Sequence, residues 1–497
     1  MNASDVSRAP IPVHLRIGAE RVATGTGGTH DRVNPSTGQV DGTIPLAGPE
    51  DVDRAVKVAH EAFLEWRRTP GAERRRLLLR LADLMDENAT ELSRLTALDN
   101  GTKYSPGGKA GMASAYTRYY AGWADKYTSD VISSWLPSKE FSFTLAQPYG
   151  VIGVIVTWNG PVASIGMKVP AALAAGNTVV IKPSELTPYG PELLCDLVEQ
   201  AGFPPGVFNV LTGTAAAGEA LVRHPLVRKV TFTGGPATAT KVLQACADTM
   251  KPAVLELGGK SANIIFDDAE LGAALSHGTL LSCGFLAGQI CAAPSWMLVQ
   301  DTIYDDVVDR VATTAKAFSV GDPFDPATVA GPVINEAAID RILAMVERAQ
   351  AQGARLVTGG ARVQLPGDLA GGYFVEPTVL ADVDPQSEVA QNEVFGPVLA
   401  ITPFTDEADA LEKANSTRYG LAGYVHTQNI SRALRVAEQF ETGDVMINGA
   451  GAGVVNRPFG GLKISGMGKE GGRQGLEEFL QIKGVGIGMG DAFSFGG

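Results

Sequence analysis

From Gly150 to Phe266 the chain alternates short apolar runs with helix-length segments, and this alternation restricts the fold more than any other feature. The runs are VIGVIVTWN, NTVVIKPS, VFNVLTG, KVTFTGG and AVLELGGKSANIIF. Strands without internal polar alternation are buried on both faces. Strands separated by about ten to fifteen helical residues imply βαβ units and a parallel sheet. Helices are expected around Met167–Ala175 and over 189–201. Residues 270–460 repeat this texture, with strands SWMLVQ, FVEPTVLA and VLAITPF. The segment AALSHGTLLSCGFLAGQICAAPS reads as one long helix ending near a Gly-Gln turn. Ahead of the alternating region, residues 1–50 read as an irregular arm with short strands and 50–130 as helical, with Ala55, Val56, Ala59, Ala62 and Phe63 at helical spacing. FSFTLA alternates like a strand. The tail from Leu480 does the same, and pairs either with FSFTLA or with another subunit.

A chain of 497 residues exceeds one compact core, so two or three domains are expected. The net charge of −13 disfavours a nucleic-acid partner. Arg74, Arg75 and Arg76 fit a solvated helix face. The four cysteines and six histidines show no metal-ligand spacing, so no metal site is expected. A reducing, cytoplasmic setting fits this cysteine usage. The N-terminal stretch carries no apolar h-region, and no apolar run reaches the roughly 18 residues of a membrane span. No membrane association is therefore expected.

Two motifs mislead. Gly466 to Gly471 matches GxGxxG but opens no βαβ unit. Gly259-Lys260-Ser261 resembles the end of a P-loop, but Val254 stands where its first glycine belongs.

Three residues carry more chemistry. Cys291 follows a flexible Gly288-Gln289 turn, and a thiolate both attacks carbonyls and leaves from a thioester. A packing cysteine is the competing reading. Glu256 ends an apolar run and precedes two glycines; beside an apolar pocket its pKa rises, which suits a general base. The alternative is a salt bridge with Lys260. Asn159 follows a buried strand, where its amide can donate to an oxyanion. An Asx-turn before Gly160-Pro161 is the other possibility.

These three motifs, in this order, resemble the aldehyde dehydrogenase superfamily from about residue 30 to residue 485. The markers include Trp158-Asn159-x-Pro161, Lys182-Pro-Ser-Glu185, Phe232-Thr-Gly234, Glu256-Leu-Gly-Gly-Lys and Gly288-Gln-x-Cys291. Tyr119-Tyr120-Ala-Gly-Trp123-Ala-Asp-Lys, Asn392-Glu393-x-Phe395-Gly-Pro and Pro458-Phe-Gly-Gly-x-Lys463-x-Ser-Gly466 complete the set. The resemblance implies an α/β fold in three parts. A Rossmann-type cofactor domain would span 1–125 and 147–257, and an α/β catalytic domain 258–461. A small β flap at 126–146 and 478–497 would make a homodimer or homotetramer.

The resemblance also implies roles. Cys291 would be the nucleophile, Asn159 the oxyanion donor and Glu256 the base that activates water. Lys168 and Glu470 would relay a proton, unless they are only a buried ion pair. NAD, and secondarily NADP, would lie against Val156, Thr157, Trp158, Lys182, Ser184, Glu185, Gly213, Gly218, Phe232, Thr233, Gly234, Gly235, Leu257, Glu393 and Phe395. Glu185 would accept hydrogen bonds from the adenosine ribose and repel a 2′-phosphate, favouring NAD.

The chain departs from the family pattern at Gly235, where serine is usual, at Ala239, where glycine is usual, and at Thr157, where proline is common. The substrate pocket is expected at Gly160, Ala163, Met167, Ile290, Gly453 and Phe459. Small residues at positions where relatives carry bulky ones imply a wide apolar mouth and a bulky or long hydrophobic aldehyde: aromatic, terpenoid or fatty. Three rival readings stand beside this one: a CoA-acylating enzyme, a semialdehyde dehydrogenase, and a non-catalytic protein on the same fold. Retention of Glu256 and Cys291 weighs against the first and last.

Overall fold

The computed structural model describes residues 6–107, 110–132, 140–449 and 454–488. Two large sheets organise these residues. The first has eight strands, in the spatial order Gly466–Met467, Ala253–Glu256, Val227–Thr233, Val151–Ile155, Thr178–Lys182, Phe208–Val210, Leu15–Ile17 and Glu20–Val22. Its five central strands are parallel. The chain steps outward from Val151–Ile155 through two strands, then returns to the other side of that first strand with Val227–Thr233. This reversal opens a crevice at the carboxyl ends of the two neighbouring strands, where ligands bind in such sheets.

The second sheet has seven strands, in the order Arg355–Thr358, Thr378–Ala381, Val398–Phe404, Trp296–Gln300, Ala262–Ile265, Ala422–His426 and Asp444–Ile447. All of its pairings are parallel except that of the Arg355–Thr358 edge strand. The run AVLELGGKSANIIF therefore bridges the sheets. Its first strand, Ala253–Glu256, ends in one sheet, and Ala262–Ile265 begins the other. Gly258 and Gly259 make the crossing, since a side chain at Gly258 would stand 2.2 Å from a Glu393 carboxylate oxygen.

The tail strand Leu480–Gly488 pairs antiparallel with Glu140–Pro148 of the same chain, which settles the first of the two options. Gly466–Met467 returns to the first sheet beside Ala253–Glu256, so the C-terminal segment packs across both halves.

Three expectations need correction. The helix expected near Met167–Ala175 runs over Pro161–Ala174, because Pro161 at its first position is preorganised for helix entry. The long helix expected over 273–295 is broken. An α-helix over Leu271–Thr279 passes into a π-turn over Leu280–Gly284, then into a tight turn in which Leu286 and Ala287 have φ near +50°. The same stretch corrects the membrane count: Leu271–Gly288 is 18 residues long and apolar enough to cross a membrane, but it is broken, and 56% of it is buried inside the protein. A broken backbone of this kind does not satisfy its own polar groups in lipid.

Candidate active site

Two adjoining clefts lie at the reversal point of the first sheet. The larger, of 570 Å³, is lined by Val156, Thr157, Trp158, Lys182, Ser184, Gly218, Phe232, Thr233, Gly234 and Gly235, together with Glu219, Thr238 and Lys241. The smaller, of 320 Å³, shares Thr157, Trp158, Thr233, Gly234 and Gly235 with it and adds Asn159, Glu256, Leu257, Gly258, Cys291, Arg341, Glu393 and Phe395. The shared residues make the two clefts one groove.

At the far end of the groove, Lys182 is buried. Its Nζ donates to the carbonyls of Gly213 at 2.5 Å and Pro183 at 3.0 Å. Burial pulls its pKa below the ordinary lysine value. Gly213 thus acts through Lys182 and does not itself line the groove. Glu185 stands beside the same lysine and lines neither cleft.

In mid-groove, the helix Pro236–Ala247 begins with Gly235 as its N-cap. The amides of a first helical turn lack internal partners and favour anions. A Cβ at Gly235 would meet nothing within 4 Å, so the missing serine leaves free space. Ala239 is buried in the face of this helix packed on the sheet, where its methyl fills the place expected for glycine. These residues fit an elongated ligand carrying phosphates.

At the near end, Cys291 is half-buried and packs with Phe459 against a small cluster around Leu421 and Tyr424. Burial pushes its thiol up to about 12, with the Glu393 and Glu256 carboxylates adding to the rise. The loop that carries it is tightly built. Gly288 has φ +69°, and a Cβ there would stand 2.3 Å from the Ser282 carbonyl oxygen and 2.4 Å from that of Gly396. Only glycine fits such a position. The buried Gln289 side chain donates to the carbonyls of Leu286 at 2.9 Å and Pro332 at 3.3 Å, and accepts from the Ile334 amide at 2.9 Å. Asn159 donates its side-chain amide to the Gln289 carbonyl at 2.9 Å. That bond ties the edge of the first sheet to the cysteine loop, and one amide hydrogen of Asn159 remains for another acceptor.

Glu256 is 5% exposed, and neither of its carboxylate oxygens has a hydrogen-bond partner. Burial holds its pKa well above the usual carboxylate range, and the Glu470 carboxylate adds to this; Lys168 and Lys469 oppose it. No salt bridge with Lys260 forms. The Lys260 ammonium donates instead to the Ser295 carbonyl at 3.4 Å. Buried carboxylates without partners are rare and point to function. Lys168 and Glu470 do pair, both buried, with the Thr231 hydroxyl 3.2 Å from the lysine. Glu470 also exchanges backbone hydrogen bonds with Phe459, at 2.6 and 2.7 Å.

Glu393 accepts from the Gly259 amide at 3.2 Å, and burial raises its pKa to about 7. Phe395, at φ +50°, packs its ring edge-on to Trp158, 5.3 Å between centroids. Arg341 was not anticipated. It reaches the smaller cleft from the helix Glu336–Ala351 and donates to the Val394 and Phe395 carbonyls. Nothing local in the sequence marks it, since the contact spans 53 residues.

The expected substrate residues are less gathered. Gly160 is the N-cap of Pro161–Ala174, with open space around it: a Cβ there would touch only Ala163, at 3.7 Å. Met167 packs partly buried against the first sheet's core. Ile290 is half-buried beside Cys291. Gly453 lies outside the described residues. Among the described residues, no group of three or more His, Cys, Asp or Glu could hold a metal ion.

Residues 22–485 match the aldehyde dehydrogenase family. The chain is 42% identical over 478 residues to an aldehyde dehydrogenase of Enchytraeus buchholzi, covering 94% of each. It is 41% identical over 486 residues to one of Emericella nidulans, covering 97% of this chain and 96% of the relative. Among solved structures it resembles a betaine aldehyde dehydrogenase of Staphylococcus aureus in complex with NAD+, at 34% identity and a TM-score of 0.93, over 99% of this chain and 97% of that one. With the cysteine, the buried carboxylate and the amide converging on one groove, and a match over nearly the whole chain, this protein belongs to the aldehyde dehydrogenase family, enzymes that oxidise aldehydes.

Proposed function

We propose that the protein oxidises a bulky or long hydrophobic aldehyde to its carboxylic acid, with NAD as the preferred acceptor and hydrolysis as the final step. The observation that carries this reading is Glu256, a buried carboxylate with no partner, lining the same cleft as Cys291 and Asn159.

The Cys291 sulfur adds to the aldehyde carbon as the S–H bond breaks and its proton passes to solvent water, which the half-exposed cysteine reaches. The oxyanion that forms is stabilised by the free amide hydrogen of Asn159 and the backbone N–H of Cys291. NAD, held against Trp158, Glu393 and Phe395, would supply the hydride acceptor for this carbon. A thioester on Cys291 remains. Glu256, whose burial raises its pKa and so strengthens it as a base, takes a proton from a water that attacks the thioester. The acid departs and Cys291 is released. Lys168 and Glu470, the latter close enough to raise the Glu256 pKa, pass the proton away from it.

For the dinucleotide, Lys182 and Glu185 would hold the adenosine ribose, the first turn of Pro236–Ala247 the pyrophosphate, and Glu393 and Phe395 the nicotinamide ribose. Support for NAD comes from the Staphylococcus aureus relative, solved with NAD+. The space beside Gly160 supports a large apolar substrate. A homodimer or homotetramer is part of the reading, supported by Val131, Ile482 and Ile487 exposed on the small sheet. A cytoplasmic location also belongs to it.

The test is NADH formation across an aldehyde panel from acetaldehyde to aromatic, terpenoid and long-chain aldehydes, with and without coenzyme A and with Cys291→Ala as control. Turnover that requires Cys291, ignores coenzyme A and peaks on large apolar aldehydes is expected. A peak on acetaldehyde or succinate semialdehyde would discard the substrate class. A requirement for coenzyme A would discard hydrolysis.

A further inference from the structure

We propose that Asn100 is a positioning residue for this reaction, fixing Asn159 so that its amide faces the oxyanion; this rests on Asn159 being an oxyanion donor. Asn100 is the last residue of the helix Ala89–Asn100 and is fully buried. Its Nδ2 donates to two successive carbonyls, Trp158 at 3.2 Å and Asn159 at 3.0 Å. Its Oδ1 accepts from the Thr102 amide at 3.1 Å and the Thr102 hydroxyl at 2.7 Å. Both donors and both lone pairs are therefore used.

The segment these bonds hold needs an external hold. The strand Val151–Ile155 ends four residues before Asn159, so sheet pairing does not fix the Trp158–Asn159 peptide. The Asn100 amide takes the place of a ladder partner. Next to it, Gly101 has φ +74°, and a Cβ there would stand 2.5 Å from the Pro332 ring. Pro332 in turn accepts from Gln289, whose own carbonyl receives the Asn159 amide. Hydrogen bonds thus link Asn100, Asn159, Gln289 and Pro332 in sequence, and the close approach of Gly101 to Pro332 brings the two ends of that series together beside the Cys291 loop. Loss of the Asn100 donors frees the Asn159 backbone to rotate, and a small displacement of an oxyanion donor is costly to the chemical step.

The experiment is a double-mutant cycle on the full chain, with NAD and the best aldehyde of the panel at saturation. Asn100→Ala is expected to lower kcat on the order of 10- to 100-fold, while the KM for NAD stays within about twofold. In an Asn159→Ala background the same substitution is expected to cost less than about threefold, because the group it positions is gone. An equal loss in both backgrounds, or a loss confined to the KM for NAD, overturns the proposal. An Asn159→Ala enzyme with unchanged kcat overturns the oxyanion reading itself, and this proposal with it. Should Asn100→Ala fail to fold, Asn100→Asp carries the same cycle, since it keeps the volume and the Thr102 bonds but removes the amide donors.

Discussion

The Nζ of Lys182 lies 3.9 Å from the nearest carboxylate oxygen of Glu185 and is held instead by the carbonyls of Gly213 and Pro183. The carboxylate is left with free acceptor capacity, and in the proposed binding mode it would take two ribose hydroxyls and oppose a 2′-phosphate. Glu185→Ser is expected to shift the ratio of kcat/KM for NAD over NADP towards NADP by roughly 10- to 100-fold, the size of one or two charged hydrogen bonds. Steady-state kinetics with both dinucleotides check this. An unchanged ratio removes Glu185 from cofactor selection.

Glu256→Gln separates the two halves of the reaction. The first half needs no water base, so a rapid burst of NADH near one equivalent per site is expected, followed by turnover slowed on the order of 100- to 10,000-fold. Stopped-flow absorbance at 340 nm resolves the two phases. A lost burst would place Glu256 in thiol activation.

The same substitution has a stability consequence. A carboxyl whose folded pKa is raised binds its proton more tightly in the folded state. Its stabilising contribution is therefore full below the unfolded pKa, near 4.5, and is lost as pH rises towards the raised folded value. Wild-type melting temperature should fall through that window relative to Glu256→Gln. Parallel melting curves from pH 5 to 8 test it.

Lys168 and Glu470 form a buried pair, so removing either charge strands the other. Lys168→Met and Glu470→Gln are each expected to destabilise by about 3–5 kcal/mol, and the double replacement by clearly less than the sum. Denaturant unfolding measures all three. Additive losses would mean the two residues act independently.

With its pKa pushed up to about 12, the Cys291 thiol is protonated at neutral pH in the free enzyme. Carbamidomethylation of Cys291, followed by mass spectrometry, should therefore accelerate about tenfold per pH unit from 7 to 9. A plateau below pH 8 would show a thiolate already formed.

Gly160 has φ −164°, a value open to any residue, and open space around its Cβ position. Gly160→Phe is expected to fold normally and to lower kcat/KM for large apolar aldehydes by at least about tenfold while sparing acetaldehyde. Equal effects on both classes would move the substrate path elsewhere.

The motifs were legible because their chemistry is local. Gly288 and Cys291, Glu256 at a strand end, and Asn159 before Gly160-Pro161 each combine a reactive type with a turn signal that neighbouring residues supply. The parallel sheets were legible because doubly buried strands leave a continuous apolar run. The long helix over 273–295 misled because its apolar composition is that of a helix. The break at Leu286 and Ala287 comes instead from Gln289 bonding to Leu286, Pro332 and Ile334, partners up to 45 residues away.

Period, turn chemistry and motif order are carried along the chain, so the α/β class, the family and the candidate reactive groups could be read from it. Which of these groups meet depends on the folded chain. It left Glu256 without a partner, paired Lys168 with Glu470 across 302 residues, brought Arg341 to the cleft and seated Asn100 under Asn159. Those outcomes depend on burial and on contacts between distant segments, which no local pattern encodes.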